Sequence, residues 1–243
     1  MNKILISAGC SFARGEGLSR KEFRYSNIIA AQYGLNLLDV STCGASNEHI
    51  ASCGVYGVHQ ALKTTKPQNV IVLVGWTEQA RFEYWSKKSY TFKSAMTART
   101  IHPEKQHYPD VQLEKFVADN MWSPAFGYYK LLHAFNYLNA FCESRGVRVI
   151  NVANITLFKI MLPPTKQRTY VTDNSPSFLT ESVLTDTQQK VFDSLFTSPS
   201  LCDMILRNHE EYAISESDTH PNQKAHEVWA ERIVNENKDV LGT

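Results

Sequence analysis

Apolar positions along the chain come in short uninterrupted runs separated by stretches with helical spacing. Ile4 to Ala8 is an apolar run ended by Gly9, the pattern of a strand buried on both faces as in a parallel sheet. Asn36 to Val40 reads as a second strand, and Tyr25 to Tyr33 between them as a helix with Ile28, Ile29 and Ala31 inward and Gly34 as its stop. Together these make a βαβ unit. The pattern repeats with a helix over Asn47 to Leu62 and a buried strand over Val70 to Val74, ended by Gly75. Ser123 and Pro124 form an N-cap and first-turn pair for a long helix to about Arg145, with Leu131, Phe135, Leu138 and Phe141 at helical spacing. Gly146 ends it, Val147 to Ala153 is a fourth strand, and Pro221 to about Asn235 is a closing helix with Ala225, Val228, Trp229 and Ile233 on one face.

This alternation predicts an α/β fold, a three-layer α/β/α sandwich with a parallel, flavodoxin-like sheet. Two stretches break the rhythm, about 82–121 and about 155–215, the second punctuated by Pro163-Pro164 and Asn174-Ser175-Pro176. Neither shows an obvious core of its own, so both read as insertions on a single domain spanning 1–243.

Composition narrows the classes. Of 243 residues 43% are apolar, enough to exclude disorder as the main state. Lys and Arg number 25 against 24 Asp and Glu, so no global field steers the chain to nucleic acid or anionic lipid. No apolar run is long enough to span a bilayer, and the N-terminal apolar core is too short for a secretory signal peptide. Five cysteines without a Cys-x-x-Cys spacing fit reduced thiols in a cytosol-like compartment. Eight histidines form no His-x-x-x-His cluster, and neither a metal nor a cofactor is expected.

Ligands of an open parallel sheet bind at the carboxyl ends of its strands. Those ends read Gly9-Cys10-Ser11-Phe12, Ser41 through Asn47, Gly75-Trp76-Thr77-Glu78 and Asn154, with Ser217-Asp218-Thr219-His220-Pro221-Asn222 ahead of the last helix. A Ser after a strand is by itself an ordinary turn or cap, and a polar cluster before Pro221 is ordinary helix punctuation. Combined, they supply a nucleophile, a base and a carboxylate to orient that base.

In kind, order and placement, Ser11, Gly44 and the Asp218/His220 pair resemble the SGNH (GDSL-type) hydrolases, and His220-Pro221-Asn222 opening a final helix is among the more specific marks. The resemblance implies Ser11 as nucleophile, His220 as general base and Asp218 as its orienter, with backbone N–H groups of Ser11 and Gly44 in the oxyanion hole. It departs from the family at Thr77, which stands where the family has Asn. Loss of one such donor costs on the order of 100 to 1,000-fold in rate. Thr can donate through its hydroxyl from a shorter stem, with Asn47 or Asn154 as substitutes on the same rim. The Gly-Cys-Ser block with Gly-Trp-Thr is similar to small SGNH-type proteins of tailed bacteriophages, which implies a cytoplasmic or virion-associated setting.

The expected activity is serine ester hydrolysis on a small acyl group, such as acetyl on a glycan, without cofactor. The alternatives are a degenerate SGNH domain used for binding or structure, and an acyltransferase using the same Ser. Candidate substrate contacts are Asn47, Arg81 and Asn154. Aromatic and basic residues from Arg81 to Arg99 read as a lid first, a carbohydrate-facing wall second and a nucleic-acid surface a distant third. The expected partner is a small-molecule or carbohydrate ester. His226, one and a half turns beyond His220, reads as a surface or packing residue.

Overall fold

The computed structural model describes residues 3–86, 91–96, 109–121, 123–157 and 184–242. The core of the fold is a four-stranded, all-parallel sheet of β1 (Ile4–Gly9), β2 (Asn36–Asp39), β3 (Val70–Trp76) and β6 (Arg148–Ala153), in the order β2-β1-β3-β6. β3 is buried at every position and β1 at all but its first, as their apolar sequences require, with Ser7 of β1 the one polar side chain enclosed. Helix α3 (Asn47–Ala61) lies against β1 and β3 and packs on α5 (Pro124–Ser144), while α2 (Tyr25–Gln32) meets β1, β2 and α9 (Gln223–Glu236). The sheet thus carries helices on both faces, the expected three-layer α/β/α sandwich.

Local signals start and stop the helices. Ser46, Ser123 and Asn222 each accept a hydrogen bond from the backbone three residues on, and Gly34 and Gly146 turn the chain out of α2 and α5 in the left-handed conformation. Two details of the sequence reading change. In α2 the inward residues are Tyr25, Ser26, Ile29 and Ala30, while Ala31 faces outward. The closing helix begins at Gln223, because Pro221 is still in a strand and Asn222 caps the helix; Val228 lies on its outer face, and His226 takes a place inside.

The described parts of the two irregular stretches have structure that periodicity missed. The first holds an antiparallel hairpin, β4 (Arg81–Ser86) with β5 (Thr91–Met96), and helix α4 (Pro109–Asn120). Phe82 and Val117 form a small hydrophobic cluster there. The hairpin is tied to α3 by an ion pair between His49 Nδ1 and Glu83 Oε1 at 2.7 Å. The second holds α6 (Asp186–Thr197), α7 (Leu201–Arg207), α8 (His209–Tyr212) and the hairpin of β7 (Ala213–Ser215) with β8 (Asp218–Pro221). Phe192, Leu195, Leu201 and Ile205 join the principal core, so these helices extend the main fold. The Pro163-Pro164 and Asn174-Ser175-Pro176 turns lie outside the described residues, as do the side chains from Tyr84 to Arg99.

The chain order β1 to β2 on one side and then β3 on the other makes the β1/β3 boundary the switch point of the sheet, where crevices form beyond the strand ends. Ser11 follows β1 and Thr77 follows β3.

Candidate active site

β1 passes through Cys10 directly into a single helical turn, α1 (Ser11–Arg14). Ser11 is therefore the first residue of a helix, and its N–H has no acceptor within that helix. Its neighbours Cys10 and Ala13 are wholly buried and Ser11 itself is nearly so. The close fit of Gly9, where an added Cβ would lie 2.5 Å from that of Ala13, sets the turn tightly on the strand end.

The loop after β2 hydrogen-bonds back to β1, with Thr42 N–H donating to the Gly9 carbonyl at 2.9 Å. Gly44 then adopts a left-handed φ of 74°, and an added Cβ would meet nothing within 4 Å. Its backbone stands beside open space. Beyond it, Asn47 and Thr77 bind each other reciprocally. The Asn47 amide donates to the Thr77 carbonyl and accepts from the Thr77 N–H, each at 2.9 Å. Thr77 is fully buried, and its hydroxyl has no hydrogen-bond partner among the described residues.

Asp218 and His220 lie on β8, a short strand and not the loop that sequence suggests. Residues two apart on a strand point to the same side. Asp218 Oδ1 accepts the His220 backbone N–H at 3.0 Å and lies 2.6 Å from the ring nitrogen Nδ1. These two contacts, the backbone one first, hold the Asp218 carboxyl below its ordinary pKa. With Nδ1 turned to a carboxylate, the imidazole proton resides there and Nε2 is left as the acceptor. The ring of His220 packs on Phe12, the residue after Ser11, with centroids 5.6 Å apart. No hydrogen bond joins Ser11 to His220 among the described residues; such bonds commonly tighten only when substrate binds.

The other candidates are engaged internally. Arg81 Nε pairs with Glu78 at 2.5 Å, and its Nη1 reaches the Ala45 carbonyl at 3.5 Å. Asn154 is fully buried beneath the ends of β1 and β3, where its amide donates to the Tyr25 hydroxyl at 3.2 Å. An added Cβ on Gly75 would sit 2.0 Å from that amide nitrogen, so the glycine is the room Asn154 occupies. The structure thus brings Phe12, Asp218 and His220 together and pairs Asn47 with Thr77, while Asn47 and Asn154 point into the fold.

Of the two places the sequence allowed His226, surface or packing, the structure gives the second; its partner Tyr25 and the Phe12 contact were not foreseen. His226 stacks on Tyr25 at 5.6 Å and accepts its backbone N–H at 3.3 Å through Nδ1. Burial, with a smaller contribution from the Arg24 charge, lowers its pKa to about 3, so it is neutral. Partners 201 residues apart leave no local signal. Among the described residues no group of His, Cys, Asp or Glu is arranged to hold a metal ion, and no helix is long and apolar enough to cross a membrane.

No family model matches the chain, and no curated protein matches it. Among solved structures it is similar to the psychrotrophic esterase EstA from Pseudoalteromonas sp., over 100% of both chains at 12% identity and a TM-score of 0.46. A member of the lipolytic protein G-D-S-L family from Veillonella parvula aligns over 96% of this chain and 97% of its own, at 12% identity and a TM-score of 0.47. The acetyl xylan esterase Est2A from the rumen bacterium Butyrivibrio proteoclasticus aligns over 99% of this chain and 64% of its own, at 12% identity and a TM-score of 0.47.

Proposed function

We propose that the protein is a single-domain serine ester hydrolase that removes a small acyl group, such as acetyl, from an alcohol of the glycan type. The observation that carries this reading is the 2.6 Å contact of Asp218 with His220 Nδ1, on a ring that packs against the residue following Ser11. Ser11 Oγ adds to the ester carbonyl carbon while its proton passes to His220 Nε2. The tetrahedral oxyanion takes hydrogen bonds from the N–H groups of Ser11 and Gly44; the Thr77 hydroxyl, buried and without a hydrogen-bond partner among the described residues, is the third proposed donor. Collapse expels the alcohol, which takes the proton back from His220. Water repeats the sequence on the acyl-Ser11 ester and releases the carboxylic acid.

Asn47 and Asn154 act as positioning residues, the first for the Thr77 backbone and the second for the strand ends. Arg81 braces the Gly44-Ala45 loop against Glu78. All five cysteines are free thiols, in keeping with a reducing, cytosol-like setting.

The test is a fluorophosphonate probe together with hydrolysis of p-nitrophenyl acetate. The wild type should label and turn over, and Ser11→Ala should do neither. Equal rates for the two proteins remove Ser11 from the mechanism. A second reading, a binding module on the same fold, is favoured by one observation, the lack of a Ser11–His220 hydrogen bond. Under that reading the wild type is inert to probe and ester alike. Thr77→Val tests the oxyanion donor within the esterase reading. In an esterase it lowers turnover by about 100-fold or more with the fold intact by circular dichroism; full activity would remove Thr77 as a donor.

A further inference from the structure

Between α1 and α2 the chain makes a turn that encloses a second polar space beside the candidate site. Gly15 and Gly17 both adopt left-handed φ values, 68° and 82°. A Cβ at Gly15 would lie 2.4 Å from Arg24 Cγ, and one at Gly17 would lie 2.2 Å from Ile214 Cδ1. The two glycines let the backbone fold over the Arg24 stem and against β7. The result is a cavity of about 480 Å3 whose charged lining is Arg14, Lys21, Arg24, Glu16 and Asp39.

The charges in this lining are not evenly matched. Arg24 is buried, pairs with Asp39 and donates through Nε to the Lys21 carbonyl at 3.0 Å. Asp39 also accepts the Ser41 N–H at 3.0 Å. Glu16 accepts the thiol of Cys43 at 2.7 Å. Burial and that carboxylate raise the Cys43 pKa to about 11, so the thiol stays neutral. Arg14 donates Nη1 to the Ser41 carbonyl at 3.0 Å, and among the described residues no ion pair involves Arg14 or Lys21. The cavity therefore holds one cation in excess, with a buried guanidinium at its wall.

The same turn is bonded to the catalytic rim. Glu16 N–H donates to the Ser11 carbonyl at 3.0 Å, and the Cβ direction of Gly17 points to Asp218 Oδ2 at 3.6 Å. Ser11 and Arg14 stand at the two ends of α1, a rise of about 4.5 Å. The space between Arg14 and Lys21 therefore flanks the turn that carries the proposed nucleophile.

We propose that this cavity is a subsite for an anionic group, carboxylate or phosphate, carried on the leaving alcohol of the ester substrate. The assignment rests on the esterase reading and narrows it to acidic esters. Arg14 and Lys21 supply the charge, and Arg24 is the fixed floor.

The experiment compares 3-carboxyphenyl acetate with 3-carbamoylphenyl acetate, which are of nearly equal size and differ in charge, each corrected for its rate in buffer. The wild type should prefer the carboxylate ester by about tenfold in kcat/KM, the worth of one charge-assisted hydrogen bond. The double variant Arg14→Gln, Lys21→Gln should bring that ratio close to one, and Lys21→Arg should retain it. A general defect in folding moves both rates and leaves the ratio in place. A wild-type ratio near one, or a ratio the double variant leaves unchanged, overturns the proposal.

If neither ester is turned over, the esterase reading fails separately, and the cavity is judged by binding of inorganic phosphate. A Tm raised by about 10 mM phosphate over chloride of equal ionic strength, and lost in the double variant, upholds an anion site. No Tm change overturns it. Phosphate stabilisation without charge preference among esters that are turned over marks an effector site and overturns the substrate assignment.

Discussion

Asn47 and Thr77 are almost wholly buried and bind each other through two 2.9 Å hydrogen bonds, whereas the Asp218 and His220 side chains stand 41% and 29% exposed on a strand of four residues. The first pair joins the start of α3 to the end of β3, both anchored in the principal core. The second depends on a three-residue partner strand and on the contact between its own two members. The difference matches what each side is proposed to do. Donors to an oxyanion gain by being fixed in advance, since no reorganisation is then needed during reaction. A general base exchanges protons with substrate and solvent and gains by staying accessible.

The sharpest way to break the buried side is Gly75→Ala. Its Cβ would fall 2.0 Å from the Asn154 amide nitrogen, itself enclosed and bonded to Tyr25, so neither can yield. A loss of more than about 3 kcal/mol in urea unfolding is expected, the upper range for overpacking. Asn154→Ala in the same background should recover part of it.

Acid probes the buried side without a mutation. His226 has a folded pKa of about 3 because burial disfavours its charged form. Unfolded, it takes a proton below the ordinary histidine value, so stability is full above about pH 6.5 and falls as pH drops toward 3. Between pH 7 and pH 4 this group should remove about 3 kcal/mol. His226→Phe keeps the ring on Tyr25 and should flatten that part of the profile at some cost in stability at pH 7. An unchanged profile in the variant would assign the acid sensitivity elsewhere.

Asn47→Ala leaves the buried Thr77 N–H and carbonyl without partners and should destabilise by about 2–3 kcal/mol. Turnover should fall as well, because Thr77 loses its anchor. The smallest effect on stability is expected on the exposed side. Asp218→Asn should change unfolding free energy by less than about 1 kcal/mol, as surface pairs do, while lowering kcat by far more than stability. The Asp218 carboxyl is depressed by His220, so the pair persists through neutral pH and is lost only as pH falls through that lowered value. A large destabilisation by Asp218→Asn at neutral pH would show that the pair holds the β7–β8 hairpin and would weaken the contrast.

The two central strands were legible because β1 and β3 are buried on both faces and read as almost wholly apolar runs, whereas the edge strands β2 and β6 carry Asn36, Asp39, Arg148 and Asn151 and were placed by their Leu, Val and Ile residues and by the helices before them. β1, β2, β3 and β6 match the runs read from sequence to within two residues at each end. The helices were legible from their caps, although Pro221 misplaced the start of the last one, since its fixed φ suits a short strand as well as a first helical turn. Helix faces were less secure. Ala31 and Val228 turn outward because burial follows the neighbour that packs there, and small or β-branched residues are tolerated on either side.

Ser11, Gly44, Thr77, Asp218 and His220 stood out as candidates because they lie at strand ends or just ahead of the final helix, places that local Gly and Pro mark, and because the sequence resembles the SGNH hydrolases there. The order of the strands and the partners of the buried polar groups were decided only in three dimensions. Asn47 and Asn154 look from sequence like rim donors, yet their amides are drawn inward by the Thr77 backbone and the Tyr25 hydroxyl. A buried amide must be satisfied, and the group that satisfies it lies 30 residues away in one case and 129 in the other. Local pattern records which residues are hydrophobic and where the chain must turn; it does not record which distant polar group arrives to complete a hydrogen bond.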